Sequence, residues 1–336
     1  MKKNKAIVIW LLSGCSLIFI MVLVGGITRL TNSGLSMVNW SLFMGAIPPL
    51  NDIQWQETFD LYKQSPEFKK INYDYTLSDF KYIFFWEYLH RMIGRLLGLV
   101  FIIPFFYFLF KKMLPKKLLF QSLLLFCLGA LQGAIGWWMV KSGLVDRPDV
   151  SHFRLAIHLT TAFITCAFCF WVALPLIFSD KIKGDKKMFN SILILGVLVL
   201  IQIVYGAFVA GLNAGIGFNT WPKMNGEWVP QAVYALSPLW KNFVSAPYGI
   251  QFFHRTFAFI IVGFIIYIWK KGIAKSISSQ HNKALHLLLS IVLVQTAVGV
   301  FTILFMVPFS LALIHQLIAF LMLMSIVYCL FIFKGS

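Results

Sequence analysis

The sequence predicts an all-α polytopic membrane protein, with eight transmembrane helices arranged as two tandem four-helix bundles related by a pseudo-twofold axis. Three observations lead to this prediction. Of the 336 residues, 59% are hydrophobic and only 12% are charged, whereas a soluble domain carries about 25% charged residues. Eight apolar segments are long enough to cross a bilayer, and the second half of the chain repeats the first. A water-soluble enzyme is therefore excluded.

The apolar segments set the number of helices. A bilayer core of about 30 Å needs about 20 apolar residues per helix. Segments of that length lie near residues 7–26, 83–110, 118–140, 153–179, 189–211, 249–270, 284–306 and 309–333. The first follows Met-Lys-Lys-Asn-Lys, as a signal peptide would. It is too long for a typical signal core and has no clear small-residue cleavage site, so we expect it to remain as a helix.

The positive charges predict the orientation in the membrane. Lysines cluster at 2–5, 111–117, 181–187 and 270–283, which are the N-terminus and alternate connections. The positive-inside rule places these segments, and with them both termini, in the cytoplasm. The two long loops then lie on the outer side. The formal net charge of +17 is explained by this topology, and nucleic acid is not needed as a partner.

An internal duplication organises the chain. GGITRLTNSGLSMVNWSLFMGAIPP (25–49) aligns without gaps with GAFVAGLNAGIGFNTWPKMNGEWVP (206–230), and FFWEYLHRMIG (84–94) aligns with YGIQFFHRTFA (248–258). Segments of the third and fourth spans match the seventh and eighth in the same order. Four matches in one order predict two four-helix halves, 1–180 and 181–336. Both halves start on the same side, so the repeat is parallel.

Residues that favour turns recur in the duplicated outer segment. The aligned pairs are Asn32 with Asn213, Gly34 with Gly215, Trp40 with Trp221, Gly45 with Gly226 and Pro49 with Pro230. Asparagine and glycine tolerate the left-handed backbone that tight turns require. We expect these residues to turn the outer loop back over the bundle, in preference to contacting a ligand.

Four of the seven histidines share one depth in the membrane. They lie near the outer ends of the even-numbered spans and are His90, His158, His254 and His315. The duplication pairs His90 with His254 and His158 with His315. Side chains from facing helices of a bundle can hold a cofactor, and two imidazoles can supply both axial ligands of a haem iron. The pattern favours two bis-histidine haem sites.

Two other interpretations of the histidines stay open at this point. Zinc fits less well, because it needs three or four ligands and no cysteine or carboxylate completes the set in the second half. Proton relay or transport would also use ionisable residues inside the membrane.

The arginines lie at the outer ends of the predicted helices. Arg91 and Arg255 directly follow histidines, and we expect them to bind the propionates of haem through charge-assisted hydrogen bonds. Other arginines occur in the first half only. Their aligned residues in the second half are uncharged: Arg29 aligns with Ala210, Arg95 with Phe259 and Arg154 with Leu311. The two halves are therefore not equivalent.

An acidic residue marks the first half as the reactive one. Glu87 lies three residues before His90, on the same helix face, and its aligned residue before His254 is the neutral Gln251. We expect Glu87 to act in acid–base chemistry or charge stabilisation beside a reactive haem. An ion pair with Arg91 is the alternative. The second half is then expected to hold a haem that transfers electrons.

Several motifs resemble one known family. EYLHRMIGR, the duplicated four-helix plan, QGAIGWWMVKSGL and HLTTAF together resemble haem A synthase, a family of cytochrome oxidase assembly enzymes in bacteria and mitochondria. The resemblance covers nearly the whole chain. It implies an oxidoreductase that oxidises a ring methyl of haem O to a formyl group through two successive hydroxylations, giving haem A.

The resemblance also implies roles for single residues. His254 and His315 would ligate the iron of a haem b cofactor, while His90 and His158 would face the iron of the substrate haem and Glu87 would be needed for activity. The implied partners are the substrate haem O, haem O synthase (the protohaem farnesyltransferase), membrane lipid and an electron acceptor that the sequence does not identify.

Two features refine the comparison with the family. Bacillus-type relatives carry a cysteine pair in the first outer loop, but residues 27–81 contain no cysteine. We therefore expect no thiol-assisted step at that loop. The lack of an Arg-rich, Ser-rich leader favours a bacterial inner membrane.

A di-haem cytochrome b-type electron-transfer protein is the alternative function, and it would not need Glu87.

Overall fold

The structure is a computed structural model that describes residues 2–38, 45–144, 148–178, 182–275 and 277–335. Trp40 of the predicted turn pairs lies outside these ranges, as does Arg147, a further arginine that the sequence places near the outer end of a helix. Within them the secondary structure is helical, and the only β-type pairing is an isolated bridge between Met224 and Glu227.

Eight of the described helices are long and apolar enough to cross a membrane. They are α1 (Lys2–Leu30), α4 (Leu77–Phe110), α5 (Lys116–Lys141), α6 (His152–Ile177), α7 (Lys186–Gly211), α9 (Pro247–Lys275), α10 (Ser279–Leu304) and α11 (Phe309–Lys334). The predicted all-α fold with eight spans is confirmed. Helix α4 begins at Leu77 rather than near residue 83, because Thr76 and Asp79 form a capping box ahead of the apolar segment.

The two long connections, which the lysine clusters predict to lie on the outer side, contain short helices that the apolar pattern did not predict. The first connection holds α2 (Asp52–Lys63) and α3 (Pro66–Lys70), and the second holds α8 (Asn242–Ser245) together with two short 3₁₀ turns. Local capping starts the first two: the Asn51 side chain accepts from the amide of Gln54, and Ser65 caps α3 ahead of Pro66.

The predicted turns are present at the same positions in both repeats. Asn32 and Asn213 each have φ of 50°, and Gly45 and Gly226 have φ of 86° and 89°. Helices α1 and α7 therefore end in the same way, with an asparagine in the left-handed region that asparagine and glycine adopt at least cost.

The described chain divides into two compact units. One is Ser13–Ala162, and the other joins Met1–Leu12 to Phe163–Ser336. In the latter unit, α7, α9, α10 and α11 pack closely, with α10 against α11 and α7 against α9 as the main pairs. In the Ser13–Ala162 unit, α4 and α5 pack more loosely than their counterparts α9 and α10. The predicted division into 1–180 and 181–336, which follows the repeat, stays a prediction.

Candidate functional site

The second-half histidines lie close together. His254 on α9 and His315 on α11 have ring centroids 6.4 Å apart and ring planes at 79°. Two imidazole nitrogens, each about 2 Å from a shared metal, need roughly this separation of the rings. The Nδ1 atoms of both rings are buried and have no hydrogen-bond partner in the described part of the chain. The pair therefore fits a bis-histidine haem iron.

Glutamine side chains from the neighbouring helices support these two histidines. Gln202 on α7 donates a hydrogen bond to the backbone carbonyl of His254 at 2.8 Å. The Gln295 amide on α10 lies 3.4 Å from Nε2 of His315. The Gln202 contact holds the segment of α9 that carries the His254 ring. The contact of Gln295 is to the His315 ring itself, and at 3.4 Å it is weak enough for a metal to replace it.

The first-half histidines belong to the Ser13–Ala162 unit. His90 lies on α4 and His158 on α6. Gln132 on α5 donates to the backbone carbonyl of His158 at 2.9 Å, and its amide lies 3.1 Å from Nδ1 of the same ring. Thr161 donates to Oε1 of Gln132 at 2.6 Å and so orients the amide. The Gln132 amide thus fixes the orientation of the His158 ring.

Each of the four imidazoles rests on a glycine of another helix. The pairs are His90 on Gly25, His158 on Gly136, His254 on Gly206 and His315 on Gly299. A methyl group at the glycine would come within 3.0, 3.0, 3.3 and 2.7 Å of Cε1 of the respective ring. These glycines leave the room that each ring needs to face inward. The sequence reasoning missed them, although the duplication aligns Gly25 with Gly206 and Gly136 with Gly299.

Glu87 is buried, with 3% of its surface exposed, and its carboxylate is fully engaged. Arg91 donates to Oε1 at 2.5 Å, and Oε2 accepts from the Ser36 hydroxyl at 2.7 Å and the Met37 amide at 2.8 Å. The ion pair named above as an alternative is therefore present. Arg91 also donates to the carbonyl of Met37 at 3.2 Å, so Glu87 and Arg91 together anchor the start of the outer loop. Propionate binding by Arg91 stays a prediction.

The second half uses the same position without a charge. Gln251 has 1% of its surface exposed and donates to the carbonyl of Phe218 at 2.9 Å. The repeat alignment pairs Phe218 with Met37. Both halves thus anchor the same loop position from the residue three places before the histidine, but only the first half does so with a carboxylate. The charge itself is not required for the anchor.

Arg255 retains unused hydrogen-bond donors next to His254. Its Nη2 donates to the carbonyl oxygens of Thr220 at 2.7 Å and Pro222 at 3.3 Å. Its Nη1 is buried without a partner among the residues that the structure describes. A partly buried guanidinium with a free donor nitrogen fits an anionic group such as a haem propionate.

An aromatic cluster of the first outer loop packs around the Glu87 site. Its buried members are Met37, Phe59, Tyr62, Phe80, Ile83 and Phe84, which come from the loop after α1, from α2 and from the start of α4. Met37 belongs to this cluster and also donates to Glu87. The outer loop therefore shields the carboxylate from water, a feature that the polar sequence of α2 did not reveal.

A second buried acid lies in the same loop. Glu67 on α3 is 4% exposed and accepts a 3.0 Å hydrogen bond from the hydroxyl of Tyr62, which in turn accepts from Asn72 at 2.8 Å. Burial, opposed by the Tyr62 hydrogen bond and assisted by the negative charges of Glu87 and Asp149, raises the pKa of Glu67 to about 8. Glu67 is thus protonated at neutral pH.

This raised pKa predicts that the loop loosens as the pH rises from mildly acidic to slightly above neutral. The folded loop binds a proton that the unfolded loop releases above its ordinary pKa of 4.5. Stability therefore falls as the pH rises from about 4.5 to about 8, by an amount on the order of a few kcal/mol. Hydrogen exchange of residues 52–72 should speed up more across this window in the wild type than in Glu67→Gln. Parallel pH profiles of the two proteins would contradict the assignment.

The fold and the site together define a class of protein: a polytopic membrane protein whose helices present paired imidazoles in the manner of haem-binding bundles. Among the described residues, no group of three or more His, Cys, Asp or Glu side chains could hold a bare metal ion. The sequence model of the COX15-CtaA family, described as cytochrome oxidase assembly protein, matches residues 8–327, and the chain belongs to this family.

Curated relatives carry one common name. A protein of Flavobacterium psychrophilum is 50% identical and one of Flavobacterium johnsoniae is 49% identical, each over 98% of both chains. A protein of Nitrosospira multiformis is 44% identical over 93% of this chain and 89% of its own. All three are named heme A synthase. The family resemblance seen in the sequence is confirmed.

Proposed function

We propose that this protein is a haem A synthase, an oxidoreductase that converts a ring methyl of haem O to the formyl group of haem A for cytochrome oxidase. The observation that carries the proposal is the inequality of the two histidine pairs. Both pairs rest on glycines at aligned positions, but only the first lies beside a buried carboxylate, Glu87. The name shared by relatives that align over nearly the full chain supports the same reaction.

His254 and His315 would hold haem b as a cofactor, with Arg255 on a propionate. When bound, this haem supplies one-electron transfer. The residues of the chain do the rest in this half: the glycines Gly206 and Gly299 leave space for the rings, and Gln202 holds the backbone of His254.

His90 and His158 would bind the substrate haem O in the first half. Two successive hydroxylations of one methyl group give a geminal diol, which loses water to form the aldehyde. Each hydroxylation and the dehydration move protons, and Glu87 would hold or release them. The aromatic cluster of the outer loop excludes water from this carboxylate, which strengthens its electrostatic effect.

The remaining assignments follow from this reaction. The half 1–180 would hold the substrate and the half 181–336 the cofactor. The protein would span a bacterial inner membrane with both termini in the cytoplasm, as its lysine clusters indicate. Haem O synthase would supply the substrate, and an electron acceptor outside this chain would remove the electrons.

Conversion of haem O tests the function directly. The chain should be expressed in a host that lacks its own haem A synthase but makes haem O. The extracted haems should then be separated and identified by mass spectrometry. We expect haem A and its hydroxylated precursor. Haem-loaded protein that yields no oxidised product, while a related haem A synthase does so in the same host, would contradict the proposal.

A further inference from the structure

An apolar groove lies between α4 and α5, on the inner side of the first-half histidines. Its volume is about 360 Å³, and its lining carries no polar surface. The lining residues are Phe105, Phe106, Leu109, Leu119, Leu123 and Phe126. The groove exists because α4 and α5 pack loosely, whereas their counterparts α9 and α10 are in closer contact.

Four glycines lie between the histidines and the groove. Gly94 and Gly98 follow His90 on α4 at steps of four residues, and Gly129 and Gly133 precede Gly136, the glycine under His158, on one face of α5. A side chain added at Gly98, Gly129 or Gly133 would meet no described atom within 4 Å. Open space therefore continues from the histidine level toward the groove.

In the second half, side chains occupy the positions aligned with the four glycines and with the groove. The residues aligned with the four glycines all carry side chains: Ala258, Val262, Val292 and Thr296. At the level of the groove, Trp269 and His286 align with Phe105 and Leu123. The Trp269 and His286 rings meet edge to face, with centroids 5.8 Å apart. Among the described residues, the open space between α4 and α5 is thus filled by side chains at the aligned positions of α9 and α10.

We propose that this groove binds the farnesyl tail of the substrate haem. The inference rests on the proposed function, since haem O carries such a tail and haem b does not, and the open space occurs in the half assigned to haem O. From His90 to Phe105 the helix advances about 22 Å at 1.5 Å per residue. A porphyrin rim with an extended farnesyl chain reaches a comparable distance.

The groove would act mainly by orienting the substrate. Lipid is itself apolar, so the tail gains little from leaving it, and shape and van der Waals contact decide the preference for the groove. With the tail directed inward, the opposite rim of the porphyrin, which bears the propionates, faces the outer arginines. The groove therefore selects which methyl group lies beside Glu87 and contributes to catalysis by positioning.

The test transfers residues of the second half into the first. Gly98→Val combined with Gly133→Thr fills space that is empty of protein atoms, so the chain should still fold and keep its haem b. We expect the KM for haem O to rise about tenfold or more, and the preference for haem O over tail-less protohaem in spectroscopic titrations to disappear. Gly263→Val is the matched control, since a side chain added at Gly263 on α9 would also meet no described atom within 4 Å. The KM of this variant for haem O should equal that of the wild type.

The outcomes separate this inference from the function. If the wild type converts haem O and the double variant does so with unchanged KM and preference, the groove assignment is wrong while the function stands. The same result with altered bound lipid would assign the groove to an acyl chain and overturn the inference. An equal loss in Gly263→Val would show general damage and count against it as well. A haem-loaded wild type that makes no formyl product would contradict the function, whatever the titrations show.

Discussion

His254→Ala and His315→Ala are each expected to yield protein without tightly bound haem b. In the proposed assignment the two rings, whose centroids are 6.4 Å apart, share one iron, so loss of either would remove an axial ligand. Loss of a group that merely supports a metal ligand already costs about 10–100-fold in affinity, and loss of the ligand itself should cost more. The Soret absorbance per protein after purification measures this directly.

Two further variants make this experiment specific. His90→Ala should keep the haem b absorbance of the wild type and lose turnover, because we assign His90 to the half that binds the substrate. His286→Ala is the control for loss of any histidine, since this exposed residue on α10 bonds to the carbonyl of Asn282 and is remote from the pairs in sequence and role. Unchanged spectra in both second-half variants would contradict the cofactor assignment.

The spans and the histidines could be predicted from the sequence because each is a local or repeated signal. A run of about 20 apolar residues defines a transmembrane helix whatever surrounds it. The alignment of His90 with His254 and of His158 with His315 indicated that the four imidazoles occupy equivalent positions in the two repeats. Their glycine supports lie in other aligned segments of the duplication, so a search for small residues shared by the two repeats would have found Gly136 and Gly299.

The surroundings of Glu87 could not be predicted in the same way. Its partners Ser36 and Met37 are about fifty residues away in the chain, and no pattern within α4 points to them. The buried acid Glu67 lies in a short polar segment whose composition indicates an exposed loop, and only packing against the aromatic cluster buries it. Burial by distant parts of the chain is a tertiary effect that composition does not encode.

The comparison of Glu87 with Gln251 separates the structural role of this position from its chemical role. Each side chain is buried and bonds to the backbone of the aligned loop residue, Met37 or Phe218. A glutamine therefore suffices to anchor the loop in the second half. The carboxylate costs more to bury than an amide and needs Arg91 as a partner. Its presence in the first half alone indicates a use that the anchor does not explain.

Glu87→Gln is accordingly expected to fold, bind haem b at the wild-type level and lose turnover by about 10²–10⁴-fold, the usual contribution of a general acid or base. The substitution installs the residue that the second half already uses, so a purely structural role would be preserved. The measurements are the rate of haem O oxidation, the haem b absorbance and the thermal stability of the same preparation.

Turnover at the wild-type rate would show that Glu87 serves only as a loop anchor and would favour an electron-carrying function for this half. A loss of activity that tracks a loss of stability or haem would assign Glu87 to the fold, because the unpaired Arg91 guanidinium would then have disrupted the site. Only the selective loss of turnover supports a chemical role for the carboxylate.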